Sequence, residues 1–149
     1  MPEETRNAMP KSVPIVTLTR RVRFSAAHRY FRPEWDDARN LAVFGDNVRL
    51  HGHNYVLEAT VEGMVSGITG MAVDIGVLDR ELAALGQELG YRDLSTAAPA
   101  LQGLVPTTEN LALLAWERLA GRSTSERLVR VRLYESPELY VEVTAGGVA

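Results

Sequence analysis

Four segments of the chain alternate apolar and polar residues, and they limit the possible folds more than any other feature of the sequence. They cover residues 15–28, 51–61, 127–135 and 138–144. A period of two is typical of a strand with one buried face and one exposed face. Only Ser136 and Pro137 separate the last two segments, so we expect these two strands to form a hairpin.

Two further segments have the apolar spacing of helices. In residues 73–90 and 106–121 the leucines recur every three or four positions, which gives each helix one apolar stripe. Pro106 and Thr107 are typical residues at a helix start, and Gly90 is a typical helix stop. The order strand, strand, helix, helix, strand, strand predicts an α+β domain, in which an antiparallel four-stranded sheet carries two helices on one face.

The length of 149 residues fits a single domain. We predict that residues 1–12 form a loose leader and that residues 13–149 form the domain. The connection between the first two strands, residues 29–50, is long for a loop, so we expect it to contain a helical turn or two. No apolar run approaches the roughly 20 residues of a membrane helix, and the N-terminus lacks the apolar core of a secretory signal.

Composition excludes several kinds of site. The chain contains no cysteine, which excludes disulfides, thiolate zinc sites and cysteine nucleophiles. This agrees with a reducing compartment, and we predict a cytoplasmic protein. The formal net charge of −3 does not favour nucleic-acid binding. We expect neither a nucleic acid nor a membrane as partner.

All three histidines of the chain lie at the ends of two predicted strands. His28 ends the first strand, and His51 and His53 begin the second. Residues i and i+2 of a strand point the same way, so His51 and His53 project together, and neighbouring strands would bring His28 to them. Three neutral imidazoles form a zinc site with one open coordination position. The alternative is a set of hydrogen-bonded core histidines, and spacing alone does not decide between the two.

Glu135 is the second unusual position. The inward row of its strand is Val129, Val131, Leu133 and Glu135. A carboxylate that ends a buried row costs desolvation free energy unless a group pairs with it. Either the strand ends there and Glu135 reaches solvent, or Glu135 accepts two parallel N–H bonds from a ligand. The amino-pyrimidinone edge of a pterin or guanine offers such a pair of donors.

Four motifs in order give the chain a family resemblance. "FSAAH", "HGHNY" at the start of a strand, "PTTEN" at the start of a helix and "LYE" at the end of a strand resemble the 6-pyruvoyl-tetrahydropterin synthase and 6-carboxytetrahydropterin synthase family over residues 21–143. The resemblance implies a tunnelling fold (T-fold). Three subunits would close a twelve-stranded barrel, two trimers would stack into a homohexamer, and the active sites would lie between subunits.

The resemblance also implies roles for individual residues. His28, His51 and His53 would hold Zn²⁺. Glu135 would anchor the pterin ring, and Thr107 and Thr108 would line the same pocket. The zinc would bind and acidify the hydroxyls of the pterin side chain.

The residues that move protons in the family are replaced in this chain. Asn47 stands where the family has a cysteine base, and Gly90 and Tyr91 stand where it has an Asp-His pair. An amide is no base at neutral pH, so another titratable group is needed. Asp46, Tyr91 and Asp93 are the candidates, although Asp46 is also an ordinary turn residue.

We therefore expect a zinc-dependent pterin-converting lyase that acts on substrates resembling dihydroneopterin triphosphate. A cleavage is an alternative to the family's usual triphosphate elimination. Arg29, Arg32 and Arg49 are available for a triphosphate, but spacing does not place them. The alternatives are a non-catalytic homologue that binds zinc and a pterin, and a structural paralogue that joins barrels with an active relative.

Overall fold

The computed structural model describes residues 12–121 and 127–146, so the predicted leader lies outside the described residues except for Ser12. The strands are β1 (Val16–His28), β2 (His51–Gly63), β3 (Arg127–Ser136) and β4 (Leu139–Thr144), and the helices are α1 (Asp37–Phe44), α2 (Ile75–Leu89) and α3 (Thr108–Ala120). Short 3-10 helices occupy Gly45–Val48 and Pro99–Leu101. Among the described residues, no helix is long and apolar enough to cross a membrane.

The strands form one antiparallel sheet in the order β1-β2-β3-β4. This confirms the predicted α+β T-fold sheet and its terminal hairpin. Helix α2 packs on β1, and α3 packs on β3 and β4. The long β1–β2 connection contains a third helix, α1, whose eight residues make about two turns, as expected for this segment.

The predicted leucine stripe of α2 faces the sheet. Leu78, Leu82, Leu85 and Leu89 are all buried, and each contributes about 1.5–3 kcal/mol to folding relative to an exposed side chain. Both long helices begin at side-chain caps, because Asp74 accepts a 2.9 Å hydrogen bond from the Gly76 amide and Thr107 accepts one of 3.2 Å from the Asn110 amide. The caps satisfy backbone amides at the helix starts, whereas the buried leucines hold α2 on the sheet.

The alternation of β1 and β3 is interrupted in two places. Arg20 lies on the helix side of β1, where its guanidinium forms a two-pronged ion pair with Asp79 of α2 at 2.7 and 3.2 Å. In β3 the predicted inward row is wrong at one position, because Leu128 is buried and Val129 is only half-buried. A register shift opposite Thr60 changes which residue of β3 faces the core.

Asn40 organises the β1–β2 connection, and sequence reasoning did not single it out. Its side chain is 1% exposed. Its Oδ1 accepts from the Arg32 amide at 2.8 Å, and its Nδ2 donates to the carbonyls of Arg32 and Trp35 at 3.0 and 3.3 Å. A buried amide with this many backbone partners holds the connection in a single conformation.

The segment after α2 extends the sheet at its β1 edge. The Tyr91 amide donates to the Ser25 carbonyl at 2.6 Å, the Ala27 amide to Arg92 at 2.9 Å and the Leu94 amide to Ala27 at 2.8 Å. Tyr91 has φ 57°, a left-handed conformation that costs free energy for a residue other than glycine. The pairing brings Asp93 beside the end of β1 that carries His28.

Candidate functional site

The register of β1 and β2 brings the three histidines together. His28 pairs directly with His51, and His53 pairs with Ala26, two residues before His28. The ring centroids lie 4.6 Å apart for His28 and His51, and 5.0 Å apart for each of the other two pairs. The predicted convergence is present in the structure, and it follows from the two-residue period of paired strands.

Backbone carbonyls orient two of the imidazoles. The Nδ1 of His28 lies 2.7 Å from the Pro106 carbonyl oxygen, and the Nδ1 of His51 lies 2.7 Å from that of Arg49. A carbonyl only accepts, so each Nδ1 carries the proton and each Nε2 keeps its lone pair. The Nε2 of His28 is buried and has no hydrogen-bond partner among the described residues, so its lone pair is available to ligate a metal ion.

Burial favours the neutral form of these rings. His28 is 0% exposed, and burial lowers its pKa, as do the nearby His51 and His53, against the raising effect of the Pro106 carbonyl. Burial also lowers the pKa of His53, although Glu135 opposes the shift. Neutral imidazole is the metal-binding form, so the lowered pKa values of His28 and His53 favour the state that can bind a metal ion.

Glu135 reaches the histidine cluster from the end of β3. Its Oε1 lies 2.9 Å from the Nε2 of His53, and its Oε2 accepts a short hydrogen bond from the Thr108 hydroxyl. One ligand atom from each of His28, His51, His53 and Glu135 falls within 4.8 Å of the others. The alternative in which Glu135 only reaches solvent does not match these contacts.

The two threonines of the "PTTEN" motif have different places. Thr108 is buried and contacts Glu135. The Thr107 side chain caps α3 and is half-buried. The Pro106 carbonyl, one residue earlier, binds His28. The start of α3 therefore orients both a histidine and the carboxylate.

Two tyrosines complete the site, and sequence reasoning gave neither a role. The Tyr55 hydroxyl lies 3.2 Å from the Nδ1 of His28, and the ring is fully buried. The pKa of Tyr30 is raised mainly by burial and further by the nearby Glu135 carboxylate, whereas hydrogen bonds with Thr108 lower it. The strand pattern already places Tyr55 on the face of His51 and His53, whereas Tyr30 lies in an irregular segment that has no such signal.

The three candidates for proton transfer lie in different environments. Asp46 is exposed on the first 3-10 helix, as is the adjacent Asn47. Tyr91 is 94% exposed. Asp93 is half-buried, and its Oδ1 accepts from the Ser95 amide at 2.9 Å.

Two cavities adjoin the histidine end of the sheet. A cleft of about 500 Å³ is lined by residues that include His53, Tyr91 and Asp93. A larger cavity of about 880 Å³ is lined by residues that include Asp93, Arg29 and Arg32. Asp93 lines both cavities, so of the three candidates it is the one that adjoins both the cleft with His53 and the cavity with Arg29 and Arg32.

Comparison with known proteins agrees with this geometry. The family model described as 6-pyruvoyl tetrahydropterin synthase matches residues 17–146. A 6-pyruvoyl tetrahydrobiopterin synthase of Drosophila melanogaster is 36% identical over 129 residues, which cover 84% of this chain and 77% of the relative. A dihydroneopterin monophosphate aldolase of Pyrococcus furiosus is 32% identical, with 83% of this chain and 92% of the relative covered.

A solved structure of the same family superposes on the fold. The 6-pyruvoyl tetrahydropterin synthase of Caenorhabditis elegans has a TM-score of 0.82 and 30% identity, with 90% of this chain and 98% of that chain covered. The sequence and the fold thus match the same family over nearly the whole described chain. The chain belongs to the 6-pyruvoyl tetrahydropterin synthase family.

Proposed function

We propose that this chain is a zinc-dependent pterin-converting lyase whose substrate resembles dihydroneopterin or its phosphates. The observation that carries the proposal is the meeting of three histidines, two of them oriented by backbone carbonyls, with the Glu135 carboxylate and the Thr108 hydroxyl. A set of core histidines without a ligand would not leave the His28 Nε2 buried and unpartnered among the described residues.

The donor set fits zinc. His28, His51 and His53 would hold the ion through neutral imidazoles, and the Pro106 and Arg49 carbonyls would keep two of the rings in the required tautomer. Bound zinc supplies Lewis acidity, which lowers the pKa of a substrate hydroxyl. Cysteine ligands are excluded because the chain has none.

Glu135 is suited to a pterin ring. A carboxylate offers two acceptor oxygens in one plane, and the amino-pyrimidinone edge offers two parallel N–H donors. The hydrogen bond from Thr108 fixes the plane of the carboxylate, so part of the ordering cost is met before the ring arrives.

Asp93 is the group that we propose moves the proton. It is half-buried, adjoins the cleft that contains His53 and adjoins the cavity that contains Arg29 and Arg32. Those two arginines supply positive charge for a substrate phosphate, although Arg32 also pairs with Glu34 at 2.9 Å. Tyr91 shares the cleft with Asp93, and Asp46 stays a weaker candidate because it is exposed.

The bond that breaks is a separate question. The name of the Pyrococcus furiosus relative describes an aldolase acting on dihydroneopterin monophosphate, which supports carbon–carbon cleavage as an alternative to elimination of triphosphate. The altered proton-transfer residues favour the same alternative, because a different base position abstracts a different proton.

A second candidate function is a non-catalytic protein that binds zinc and a pterin. Asn47, Gly90 and Tyr91 support it, since they replace the residues that move protons in the family. The ligand pocket would be the same in both cases, so only turnover separates the two functions.

We also propose a homohexamer of two stacked trimers, located in the cytoplasm. Among the described residues, β4 has no partner on its outer side, and β1 is paired there only with residues 91–94. Unpaired edges are suited to pairing between subunits. The mass of the assembly in solution tests this part of the proposal.

The deciding experiment is a turnover assay. Zinc-loaded protein is incubated with 7,8-dihydroneopterin triphosphate, and all products are followed by mass spectrometry. We expect a new pterin that disappears on chelation of the metal, and its mass identifies the bond that breaks. Substrate that is bound but unchanged would contradict the proposed lyase activity and favour the non-catalytic protein that binds zinc and a pterin.

A further inference from the structure

We infer that Asn110 is a positioning residue of the candidate site and that its side-chain amide decides which nitrogen of His28 can bind a metal ion. Asn110 belongs to the "PTTEN" motif at the start of α3, and sequence reasoning gave it no role. The inference rests on the histidine site of the proposed function. It adds a residue that acts on this site through the turn before α3.

Asn110 ties the start of α3 to the residues before it. Its Nδ2 donates to the Val105 carbonyl at 2.8 Å, and its backbone amide donates to the Thr107 hydroxyl oxygen at 3.2 Å. The Thr107 amide donates to the same Val105 carbonyl at 2.8 Å. Two N–H donors thus occupy both lone pairs of one carbonyl oxygen, which fixes the turn of residues 105–107.

This turn sets the direction of the Pro106 carbonyl. The hydrogen bond between Val105 and Thr107 closes a three-residue γ-turn with Pro106 at its centre, and the proline ring fixes φ there. The Pro106 carbonyl and the Thr107 N–H belong to one planar trans peptide unit, so they point in opposite directions. Because the N–H is directed at Val105, the carbonyl is directed away from it, to the His28 Nδ1 at 2.7 Å. Asn110 holds this arrangement through its bond to Val105.

A second group competes with the Pro106 carbonyl for the same nitrogen. The Tyr55 hydroxyl lies 3.2 Å from the His28 Nδ1, and a hydroxyl can donate as well as accept. A bond donated by Tyr55 would place the imidazole proton on Nε2, which would then have no lone pair for a metal ion. The carbonyl only accepts, and it lies closer, at 2.7 Å, so it keeps the proton on Nδ1.

Loss of the Asn110 amide therefore has a specific consequence. The Val105 carbonyl would keep only the hydrogen bond of the γ-turn, and the Pro106 carbonyl would lose its fixed direction. The proton of His28 would then be shared between the two ring nitrogens, so fewer molecules would offer the Nε2 lone pair. A residue that only stabilised α3 would change the free energy of unfolding and leave this tautomer unchanged in the folded protein.

The test compares Asn110→Ala with wild type and with Gln87→Ala. Gln87 is exposed on α2, so its variant removes an amide side chain elsewhere. Alanine is a better helix former than asparagine, so helix propensity would not explain a loss. Nitrogen NMR of the metal-free protein at about pH 8, where imidazoles are neutral, reports which ring nitrogen of His28 carries the proton. We expect only the Nδ1–H form in wild type and Gln87→Ala, and a mixture with the Nε2–H form in Asn110→Ala.

Zinc affinity supplies a second readout that does not depend on turnover. Zinc is titrated into each metal-free protein in competition with a chromophoric chelator. We expect at least roughly a 10-fold loss of affinity in Asn110→Ala, the size that indirect ligand partners have, and no loss in Gln87→Ala. An unchanged His28 tautomer in folded Asn110→Ala would overturn the inference, whatever its stability. If Asn110→Ala does not fold, Asn110→Leu, which keeps the size of the side chain, carries the same test.

Failure of the proposed function has a different signature. A protein that binds zinc but converts no pterin would keep both differences, and a protein that binds no zinc would still show the change of tautomer. Tyr55→Phe completes the design, because it removes the competing hydroxyl and keeps the ring that stacks on Phe24. The double variant, Asn110→Ala with Tyr55→Phe, should return toward the Nδ1–H form of His28.

Discussion

Replacing His51 by alanine should abolish metal retention while the fold survives. His51 begins β2, and its side chain is only half-buried. Within the described part of the chain, its side chain makes one hydrogen bond, from Nδ1 to the Arg49 carbonyl at 2.7 Å, and this bond is exposed to solvent. Loss of such a bond costs about 0.5–1.5 kcal/mol, which is small beside the roughly 5–15 kcal/mol that stabilises a domain.

His51 is a better choice for this test than His28. His28 is fully buried and bonded to Pro106, so its removal would leave a cavity and an unpaired carbonyl. In the proposed zinc site both histidines would be ligands. Loss of an indirect ligand partner already weakens binding by roughly 10–100-fold, so loss of one of three imidazoles should exceed that range.

The assay combines two measurements on the same preparation. Urea unfolding of the metal-free protein, followed by circular dichroism, reports the free energy of unfolding. Mass-spectrometric metal analysis after dialysis reports the zinc content. Asn47→Ala, an exposed change in the same segment, is the control for both. Full zinc occupancy in a folded His51→Ala protein would refute the three-histidine site.

Three further predictions concern the core, pH and proton transfer. Leu82→Ala, at a position 2% exposed, should lower the free energy of unfolding by about 2–5 kcal/mol in urea titrations, and a smaller loss would contradict the packing of α2. Burial lowers the pKa of His28 and His53 in the folded protein, so below about pH 6.5 the unfolded chain binds more protons than the folded one. The metal-free protein should therefore lose stability as the pH falls through that value. An unchanged midpoint of urea unfolding would argue against neutral buried histidines. Asp93→Asn should reduce turnover roughly 100-fold or more without changing zinc content, with Asp37→Asn as the matched surface control, and unaltered turnover would remove Asp93 as the proton carrier.

Local sequence patterns were sufficient for much of the fold. The alternating segments predicted all four strands, and the leucine stripes predicted α2 and α3. These patterns work because burial acts on side chains whose direction repeats every two residues in a strand and every 3.6 in a helix. The pattern was wrong at Val129, since a register shift between strands cannot be seen in one strand alone.

Part of the candidate site was also predictable. His51 and His53 share a face on any strand, so their pairing needs no tertiary information. Their meeting with His28 requires β1 and β2 to be neighbours in the observed register. The sequence predicted the meeting only on the assumption that the two strands are neighbours. The sequence showed that Asn47 and the changed Asp-His pair depart from the family pattern. It did not show which other residue could take over proton transfer.

The sequence by itself determined the element types, the buried stripes and which histidines could ligate a metal. The tertiary structure alone decided that the Thr108 hydroxyl meets Glu135, that Tyr55 contacts His28 and that Asp93 lies between two cavities. These contacts join residues far apart in the chain. They depend on how strands pair and how α3 packs on the sheet, which are collective results of burial and hydrogen bonding that no local pattern encodes.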